Sequence, residues 1–385
     1  MTLHRRTLLA VPLLAAPALL PARPARAEPR ILRSTAGDIR LTTFAEGLEH
    51  PWGGGFLPDG RLLVSERPGR ARLVTPDGRV SEPLAGVPEV SAAGQGGLLD
   101  IEPAPDFARS QEAFFAQSVM LADGSLTRLV RARLTPAGAA GVLADVTPIL
   151  DCTPAQRTDR RHYGGRLTFS PDGDHVFLAT GDRNHDRQRA QRLDDLAGKI
   201  IRLTRDGRVP ADNPFVTHAQ ARPEVWSYGH RNPQGMQHNP ATGSLFSAEF
   251  GPRGGDELNL IQPGLNYGWP EVTYGREYWG GQIAGGRTEG PGFTQPLRHW
   301  VPAISPSGIA FAPPHGAPAW RGSLFIACLN PPGLLRIAMD GDTPGAEERI
   351  FWRERRLRHV IFAPDGALLA LTDERQGRIL RFEPA

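Results

Sequence analysis

The chain has a single lysine and no long basic tract. Lys199 is the only lysine among 44 basic residues, so the formal charge of +3 at pH 7 comes almost wholly from arginine. The 41 acidic residues are interspersed with the basic ones. Nucleic-acid binding normally needs a concentrated basic patch or stripe. The charge pattern therefore disfavours a nucleic-acid partner.

Cysteine is also scarce. Cys152 and Cys328 are the two cysteines of the chain, and an oxidising compartment would permit a disulfide between them. Their separation in sequence does not decide whether they meet. Two separate buried thiols are the simpler expectation.

Apolar runs long enough to span a bilayer are absent after residue 27. The first 27 residues have a basic start at Arg5 and Arg6, an apolar run over 8–20, and the small-x-small ending Ala25-Arg26-Ala27. This pattern predicts a signal peptide at 1–27, with either Sec or twin-arginine export, and a periplasmic or secreted protein. A membrane anchor is disfavoured because the run is short and broken by proline. We expect no membrane span in the mature chain.

Glycine and proline are abundant, at 44 and 37 residues, and they recur as turn signals. One pattern returns in five places: a Pro-Asp-Gly or similar turn, then a strand, a polar turn and a second strand. The clearest copies begin at Pro58-Asp59-Gly60, Pro171-Asp172-Gly173 and Pro364-Asp365-Gly366. Such self-similarity is typical of a β-propeller and is not needed by a pair of β-sandwiches.

The repeat spacing predicts an all-β fold: one domain over 28–385, a β-propeller of six blades. Closure of such a ring removes exposed sheet edges. We therefore expect the C-terminal strand at 378–382 to pair with strands near the N-terminus. Helical periodicity is almost absent, and the polar stretch 186–196 is at most a short helix.

Three loops are rich in residues that could take part in catalysis or ligand binding. His162 lies on a glycine-rich loop directly before a strand, where a histidine could act as a general base, although a lone histidine is more often structural. In the stretch 226–235, Arg231 offers a planar fork of donors, and Asn232 and Gln234 could fix ring oxygens. A plain surface turn would be unusually rich in such groups.

The third loop spans 249–257 and is followed by Asn266-Tyr267-Gly268-Trp269-Pro270. Adjacent carboxylates and glycine-permitted carbonyls are oxygen ligands of the kind that Ca²⁺ prefers. The spaced carboxylates of an EF-hand are absent. A solvated acidic turn would explain Asp256 and Glu257 almost as well.

These loops resemble a known family. Four of their motifs are similar, in the same order, to motifs of the soluble PQQ-dependent aldose sugar dehydrogenases, the glucose/sorbosone dehydrogenase family. The four motifs are His162-Tyr163-Gly164-Gly165-Arg166-Leu167, the stretch 228–235, Glu249-x-Gly251-Pro252-x-x-x-Asp256-Glu257 and the stretch 266–270. The likeness runs from Leu48 to Asp373. The resemblance implies a six-bladed propeller that oxidises the C1 hydroxyl of an aldose with pyrroloquinoline quinone (PQQ) and Ca²⁺, and passes electrons to an unidentified acceptor as a monomer or homodimer.

The resemblance also implies residue roles. His162 would remove the C1 hydroxyl proton, and Arg231 would stabilise developing negative charge. Carbonyls of Gly251 and Pro252 would hold the Ca²⁺ that binds the cofactor. The remaining implied positions are Gln95, Asn232, Arg356 and Arg358 at the cofactor and Asp256, Glu257 and Tyr267 at structural Ca²⁺.

Three positions depart from the family pattern. Arg161 stands where the family has an acidic residue before the catalytic histidine, which puts the partner of His162 in doubt. Asn330 falls where a cofactor-holding lysine is expected, unless Lys199 folds close by. His359 replaces an acidic residue after the arginine pair.

Two rival functions use the same fold. A non-catalytic binding module needs only the propeller, since fold does not determine function. A Ca²⁺-dependent lactone hydrolase would need a cluster of Asn, Asp and Glu side chains on the metal.

Overall fold

The computed structural model describes residues 28–137, 140–314 and 316–385. They form six antiparallel sheets, which confirms the six-bladed β-propeller. The helices in this described part are one four-residue α-helix, α1 (Phe107–Ser110), and three 3-10 helices, Arg187–Ala190, Ala284–Gly286 and Pro318–Trp320. Within the same residues, no helix has the length and apolar character that a bilayer crossing requires. The predicted signal peptide at 1–27 lies outside the described residues.

The strands follow the chain from blade to blade. The first two are β1 (Arg30–Leu32) and β2 (Ile39–Leu48). The first blade has β3 (Pro51–Phe56), β4 (Leu62–Glu66) and β5 (Arg70–Val74). The second has β6 (Leu98–Pro103), β7 (Glu112–Leu121), β8 (Gly124–Ala137) and β9 (Ala140–Asp151). The third has β10 (Leu167–Phe169), β11 (His175–Ala179), β12 (Lys199–Thr204) and β13 (Val225–Tyr228).

The other three blades continue this order. The fourth has β14 (Pro233–His238), β15 (Leu245–Glu249), β16 (Asp256–Ile261) and β17 (Arg298–Trp300). The fifth has β18 (Pro306–Phe311), β19 (Ser323–Leu329), β20 (Pro332–Asp340) and β21 (Thr343–Ile350). The sixth has β22 (Leu357–Phe362), β23 (Leu368–Thr372) and β24 (Gly377–Pro384), together with β2 and β1.

The ring is closed by pairing between the two ends of the described chain. β24 pairs antiparallel with β2, from Ile39 opposite Pro384 to Leu48 opposite Gly377, and β1 extends the same sheet. This confirms the expected partner of the C-terminal strand. The pairing with β2 covers the edge of β24 that would otherwise be open to pairing with another molecule.

The first strand of every blade lies at the centre of the ring, against the first strands of the two adjacent blades. The Pro-Asp-Gly turns connect first strands to second strands. Gly60, Gly173 and Gly366 have φ between 78° and 85° there, a conformation that glycine adopts without steric cost. These short turns occupy one face of the propeller, so the long connections meet on the opposite face.

Apolar side chains fill the space between blades. One cluster packs Phe114 and Leu129 of the second blade against Leu167 and Ile201 of the third. Burial of each such side chain contributes about 1.5–3 kcal/mol. Cys152 belongs to this cluster and Cys328 to another between the fourth and fifth blades, and both are free thiols. The chain therefore has two separate buried thiols instead of a disulfide.

Candidate active site

A cavity of about 1380 Å³ opens on the face that carries the long connections. Every blade, or the connection leading into it, contributes to the wall. Nine predicted site residues line it: Gln95, His162, Arg231, Asn232, Gly251, Pro252, Asn330, Arg356 and Arg358. The loops that were far apart in sequence are thus brought to one chamber at the centre of the ring.

His162 is held in an uncommon backbone conformation at the cavity wall. Its φ is 50°, and a non-glycine residue in the left-handed region persists only where the surroundings enforce it. The following glycines allow the loop to pack closely, because a Cβ at Gly165 would lie 2.4 Å from Cδ1 of Leu99. The main-chain N–H of His162 donates to Oε1 of Gln95 at 2.9 Å. Gln95 therefore positions the loop of the candidate base.

The imidazole of His162 is oriented by a buried carboxylate. Oδ1 of Asp182 lies 2.7 Å from Nδ1 of His162, and the indole N–H of Trp269 donates to Oδ2 of Asp182 at 2.7 Å. A carboxylate at Nδ1 favours the tautomer with hydrogen on Nδ1 and a lone pair on Nε2. Among the residues that the structure describes, Nε2 of His162 has no hydrogen-bond partner. The basic nitrogen is therefore available to a substrate in the cavity.

The electrostatics of this pair favour a neutral imidazole. Burial lowers the pKa of His162 from 6.5, the positive charge of Arg231 lowers it further, and Asp182 opposes both effects. Burial disfavours ionisation of Asp182, but His162 and Arg231 still bring the pKa of this carboxyl below its ordinary value. At neutral pH the pair therefore combines a neutral histidine with an ionised aspartate, as a general base requires.

Asp182 resolves the doubt that Arg161 raised. The Arg161 guanidinium makes a bidentate ion pair with Asp159 at 2.9 and 2.8 Å and leaves Nδ1 of His162 free for another acid. The expected acidic partner comes from the connection after β11 and not from the residue before His162. The pairing is a contact between two loops, which sequence adjacency did not reveal.

Arg231 lies beside His162 and spans the cavity wall. Its Nη1 donates to the carbonyls of Phe250 and Gly251 at 3.0 and 2.8 Å, and its guanidinium lies 5.3 Å from the centroid of the Trp269 ring. The buried Nε has no hydrogen-bond partner within the described chain. A buried donor of this kind is costly unless a ligand or water accepts from it.

Asn232 acts within the same wall. Its Oδ1 accepts from the main-chain N–H of Gly164 at 3.1 Å, two residues after His162. The residue therefore links the loop of the candidate base to the loop of Arg231.

The predicted metal ligands fall into two groups. Gly251 and Pro252 line the cavity, whereas Asp256, Glu257 and Tyr267 do not. Asp256 accepts main-chain N–H bonds from Gly251 at 2.8 Å and from the last residues of the β17–β18 connection, Ile304 and Ser305, at 2.7 and 2.6 Å. It therefore supports the Gly251 turn from behind.

Glu257 and Tyr267 have other partners. Glu257 accepts from the side chain of Asn259, while burial and the neighbouring Glu249 raise its pKa to about 8. The Tyr267 hydroxyl donates to the carbonyl of Leu260 and accepts from the N–H of Gln262. No group of three or more His, Cys, Asp and Glu side chains in the described ranges is arranged to hold a metal ion. Their assignment to structural Ca²⁺ stays a prediction.

Two arginines and an aspartate form the opposite side of the cavity. Nη2 atoms of Arg356 and Arg358 each donate to Oδ2 of Asp373 at 2.9 Å, and these arginines hold the pKa of Asp373 well below its usual range although burial opposes this. Arg358 also donates to the side chain of Gln234. The buried Nε of Arg358 lacks a partner among the described residues.

The two other departures also have structural outcomes. Asn330 lines the cavity, but Lys199 does not replace the expected lysine there. Its ammonium is buried behind the wall and donates to the carbonyls of Arg189, Ala190 and Ala197 at 2.9, 3.1 and 2.6 Å. Burial lowers the pKa of Lys199 to about 7. His359 is buried outside the cavity lining.

The cavity carries a strong excess of positive charge. One carboxylate, Asp373, lines it together with seven arginines: Arg67, Arg231, Arg253, Arg276, Arg353, Arg356 and Arg358. Arginine forks match carboxylate geometry in a bidentate manner. The chamber is therefore suited to a ligand that carries several negative charges.

Asp182 and Asp373 were missed in the sequence, although a signal was present. Four second strands end in, or are soon followed by, an acidic residue that faces the cavity side of the ring: Glu66, Asp182, Glu249 and Asp373. Each accepts hydrogen bonds from nearby arginine or histidine side chains. Alignment of the repeats by their second strands would have selected Asp182.

The comparisons with known proteins agree with this architecture. The family model for glucose/sorbosone dehydrogenase matches residues 48–381. The chain belongs to the glucose/sorbosone dehydrogenase family. This confirms the resemblance found in the sequence and assigns the chain to the oxidoreductases.

Three relatives illustrate the match. The chain is 38% identical to the aldose sugar dehydrogenase YliI of Escherichia coli over 99% of this chain and all of the relative. A crystal structure of a glucose dehydrogenase is 45% identical, with a TM-score of 0.85, over 89% of this chain and 98% of that one. The PQQ-bound aldose sugar dehydrogenase from Streptomyces coelicolor is 34% identical, with a TM-score of 0.73, over 94% of this chain and 99% of that one.

Proposed function

We propose that the chain oxidises the C1 hydroxyl of aldose sugars to lactones, with PQQ as hydride acceptor and Ca²⁺ as its metal. One observation carries the proposal: a neutral histidine, held at Nδ1 by Asp182, lines the same arginine-rich cavity as Arg231 and the Gly251-Pro252 turn. The PQQ-bound relative from Streptomyces coelicolor supports the choice of cofactor.

The residues present fit PQQ, which is a flat quinone with three carboxylates. Such a ligand needs several cationic donors and no covalent tether. The cavity supplies arginines, of which Arg356 and Arg358 would bind carboxylates. The partnerless Nε atoms of Arg231 and Arg358 are buried donors that an anionic ligand could satisfy. Gln95 and Asn330 would complete the binding wall.

The metal would use main-chain oxygens. Ca²⁺ accepts backbone carbonyls as ligands, and Gly251 and Pro252 stand at the cavity wall with their turn braced by Asp256. The Gly251 carbonyl already accepts one hydrogen bond from Arg231, and its second lone pair remains for a cation. When bound, PQQ supplies the quinone that accepts hydride, and Ca²⁺ polarises it as a Lewis acid.

The chain's own residues would then move one proton and stabilise one charge. His162 takes the proton of the C1 hydroxyl on Nε2, since Nδ1 is committed to Asp182. Asp182 stabilises the resulting imidazolium, as an ionised partner does in histidine–carboxylate pairs. The Arg231 guanidinium is held in place by the carbonyls of Phe250 and Gly251 and stabilises the negative charge that develops opposite His162.

The rival functions are less well supported. A lactone hydrolase needs side-chain ligands that activate water on the metal, and no cluster of three His, Cys, Asp and Glu side chains occurs in the described part of the chain. A binding module would not require the strained His162 backbone or its paired carboxylate.

We extend the proposal to the protein's setting. The predicted signal peptide supports export, by the Sec or the twin-arginine route, to the periplasm or the exterior. There the reduced cofactor would be reoxidised by an acceptor that is not yet identified. The protein would act as a monomer or a homodimer.

Reconstitution tests the proposal. Purified protein is titrated with PQQ in the presence of Ca²⁺, and quinone absorbance and glucose-dependent dye reduction are measured. We expect stoichiometric PQQ binding and sugar-dependent reduction, both lost on addition of a chelator. Failure to bind PQQ, or binding without reduction by any sugar of an aldose panel, would contradict the proposal.

A further inference from the structure

Two aromatic side chains at the mouth of the cavity are exposed. Tyr278 is 64% exposed and Trp279 is 81% exposed. Among the residues that the structure describes, they are the two aromatic side chains that stand out as exposed. Val301 is also 64% exposed and, like Tyr278, lines the cavity. Exposed apolar groups beside a ligand chamber commonly mark an interaction site.

Tyr278 and Trp279 lie on a turn, 277–281, that is held by hydrogen bonds and an ion pair. Glu277 and Gly281 pair through the main chain at 2.9 Å, and the N–H of Gly280 donates to the carbonyl of Glu277 at 2.8 Å, which puts Tyr278 and Trp279 at the tip. Arg187 makes a bidentate ion pair with Glu277 at 2.6 and 2.9 Å. The tip is therefore held in place before any ligand binds.

The base of the turn is joined to the Gly251-Pro252 region. Arg276 and Arg253 exchange main-chain hydrogen bonds of 3.1 and 3.2 Å. At the tip, Nη2 of Arg231 donates to the Tyr278 hydroxyl at 3.4 Å. The platform of Tyr278 and Trp279 thus begins beside the candidate reaction centre and extends outward.

The Trp279 ring has a defined orientation. A Cβ at Gly281 would lie 1.9 Å from Cη2 of Trp279 and 2.2 Å from Cζ3, so the indole lies directly on the glycine backbone. One face of the ring is covered in this way, and the other face is open to solvent. A flat aromatic face with its orientation fixed in advance suits a ligand that stacks.

We propose that Tyr278 and Trp279 form a binding platform for the sugar unit beyond the one that reacts, so that they determine specificity for oligosaccharides. This inference rests on the proposed function. With C1 of the reacting ring at His162, a sugar joined at the opposite end of that ring points toward the cavity mouth. The C–H face of a pyranose is attracted to the negative face of an aromatic ring, and the Tyr278 and Trp279 polar edges can bond its hydroxyls.

A sugar fits this surface better than a protein partner does. The exposed apolar group consists of two aromatics and one valine, whereas a stable protein interface buries roughly 800 Å² per partner. Arg161 lies near Tyr278, and Arg276 lines the cavity at the base of the turn, so both can donate to sugar hydroxyls.

The test compares maltose with glucose as probes, because maltose adds one ring and retains a free C1. In the reconstituted enzyme we expect Trp279→Ala to lower kcat/KM for maltose about three- to tenfold more than for glucose, chiefly through KM. Val216→Ala, an exposed side chain in the β12–β13 connection on the other face, is the matched control and should change neither value. Equal losses for both sugars, or no loss for maltose, overturn the inference.

A binding readout separates this inference from the proposed function. Maltose is titrated into the protein without PQQ while tryptophan fluorescence is followed in the wild type and in Trp279→Phe. We expect a maltose-dependent change that the Phe variant lacks, and an unchanged response in that variant overturns the platform. If the wild type binds maltose here but oxidises neither sugar with PQQ, the proposed function fails and the platform stands. If the Trp279 variants lost turnover with a protein electron acceptor but kept it with the dye for both sugars, the two aromatics would be a protein-docking site, and the sugar platform would be overturned.

Discussion

His162 and His230 are each held at Nδ1 by a buried carboxylate, and they differ in what their Nε2 atoms face. His162 pairs with Asp182 at 2.7 Å, and His230 pairs with Glu249 at 2.9 Å. Nε2 of His162 has no partner among the described residues, whereas Nε2 of His230 lies 2.9 Å from Oγ of Ser227. The His230 ring also stacks on Tyr267 at 4.7 Å.

The difference shows that a histidine–carboxylate pair is not by itself a catalytic device. Glu249 uses its second oxygen to accept the main-chain N–H of Arg231 at 2.6 Å, so the inner pair fixes the loop that carries the guanidinium. The pair at the cavity wall retains one nitrogen for chemistry. The His230–Glu249 pair therefore has a structural role, and the His162–Asp182 pair is the one placed to act on a substrate.

The largest expected effect comes from His162. In the reconstituted enzyme, His162→Ala should lower turnover by about 10²–10⁴-fold, the usual contribution of a general base. PQQ binding should change little, and the thermal midpoint should fall less than in His230→Ala, because the His162 ring is bonded internally through Nδ1 alone and Asp182 keeps its hydrogen bonds from Trp269 and Asn184. Steady-state dye reduction and thermal unfolding measure the two quantities. Turnover at the wild-type rate would remove His162 from the mechanism.

The second largest effect on turnover is expected from Arg231. Arg231→Ala is expected to slow the reductive step by about 10²–10³-fold, the range seen when one donor to a developing charge is lost. Stopped-flow reduction and thermal unfolding should show a larger effect on the rate than on stability. Collapse of the thermal midpoint with an unchanged reductive rate would assign Arg231 to structural support, beside His230.

His230 should show the reverse balance. His230→Ala removes a stacked, fully buried ring together with its hydrogen bonds to Glu249 and Ser227, so the free energy of unfolding should fall by about 2–4 kcal/mol. Chemical denaturation measures the loss. A change in unfolding free energy no larger than that of His162→Ala would show that the two pairs do not differ in the way described.

The smallest effect is expected on the face opposite the cavity. Gly243, in the β14–β15 turn, has a φ of 78°, and a Cβ there would meet no atom within 4 Å. Gly243→Ala should therefore cost about 1 kcal/mol of stability from backbone conformation alone. Turnover should stay at the wild-type value. A loss of activity would mean that the turn face and the cavity face are coupled.

The turn face was the more predictable half of the molecule. Pro-Asp-Gly turns act locally, since proline and glycine set their own φ values, so five repeats were visible in sequence and six blades followed. The cavity face is built from contacts between distant loops. Motif resemblance located His162, Arg231 and the Gly251-Pro252 turn, because these positions carry recognisable neighbours.

What the sequence did not reveal depends on packing across the ring. Asp182 reaches His162 only because β11 ends beside the start of β10, and Lys199 turns away from the cavity to bond three carbonyls. The motif around Asp256 does not show that this carboxylate accepts three main-chain N–H groups. Such choices depend on the backbone donors that folding brings near, which no local pattern records.

The pH dependence of the single-turnover reduction rate, in the wild type and in Asp182→Asn, tests most directly that neutral His162 is the base. Because the pKa of His162 lies below 6.5, the wild-type rate should hold at neutral pH and fall as pH decreases through that pKa. Asp182 raises the pKa of His162, so Asp182→Asn should move this fall to still lower pH and slow the plateau rate. A rate independent of pH in the acidic range, or a fall that moves to higher pH in the variant, would contradict the account.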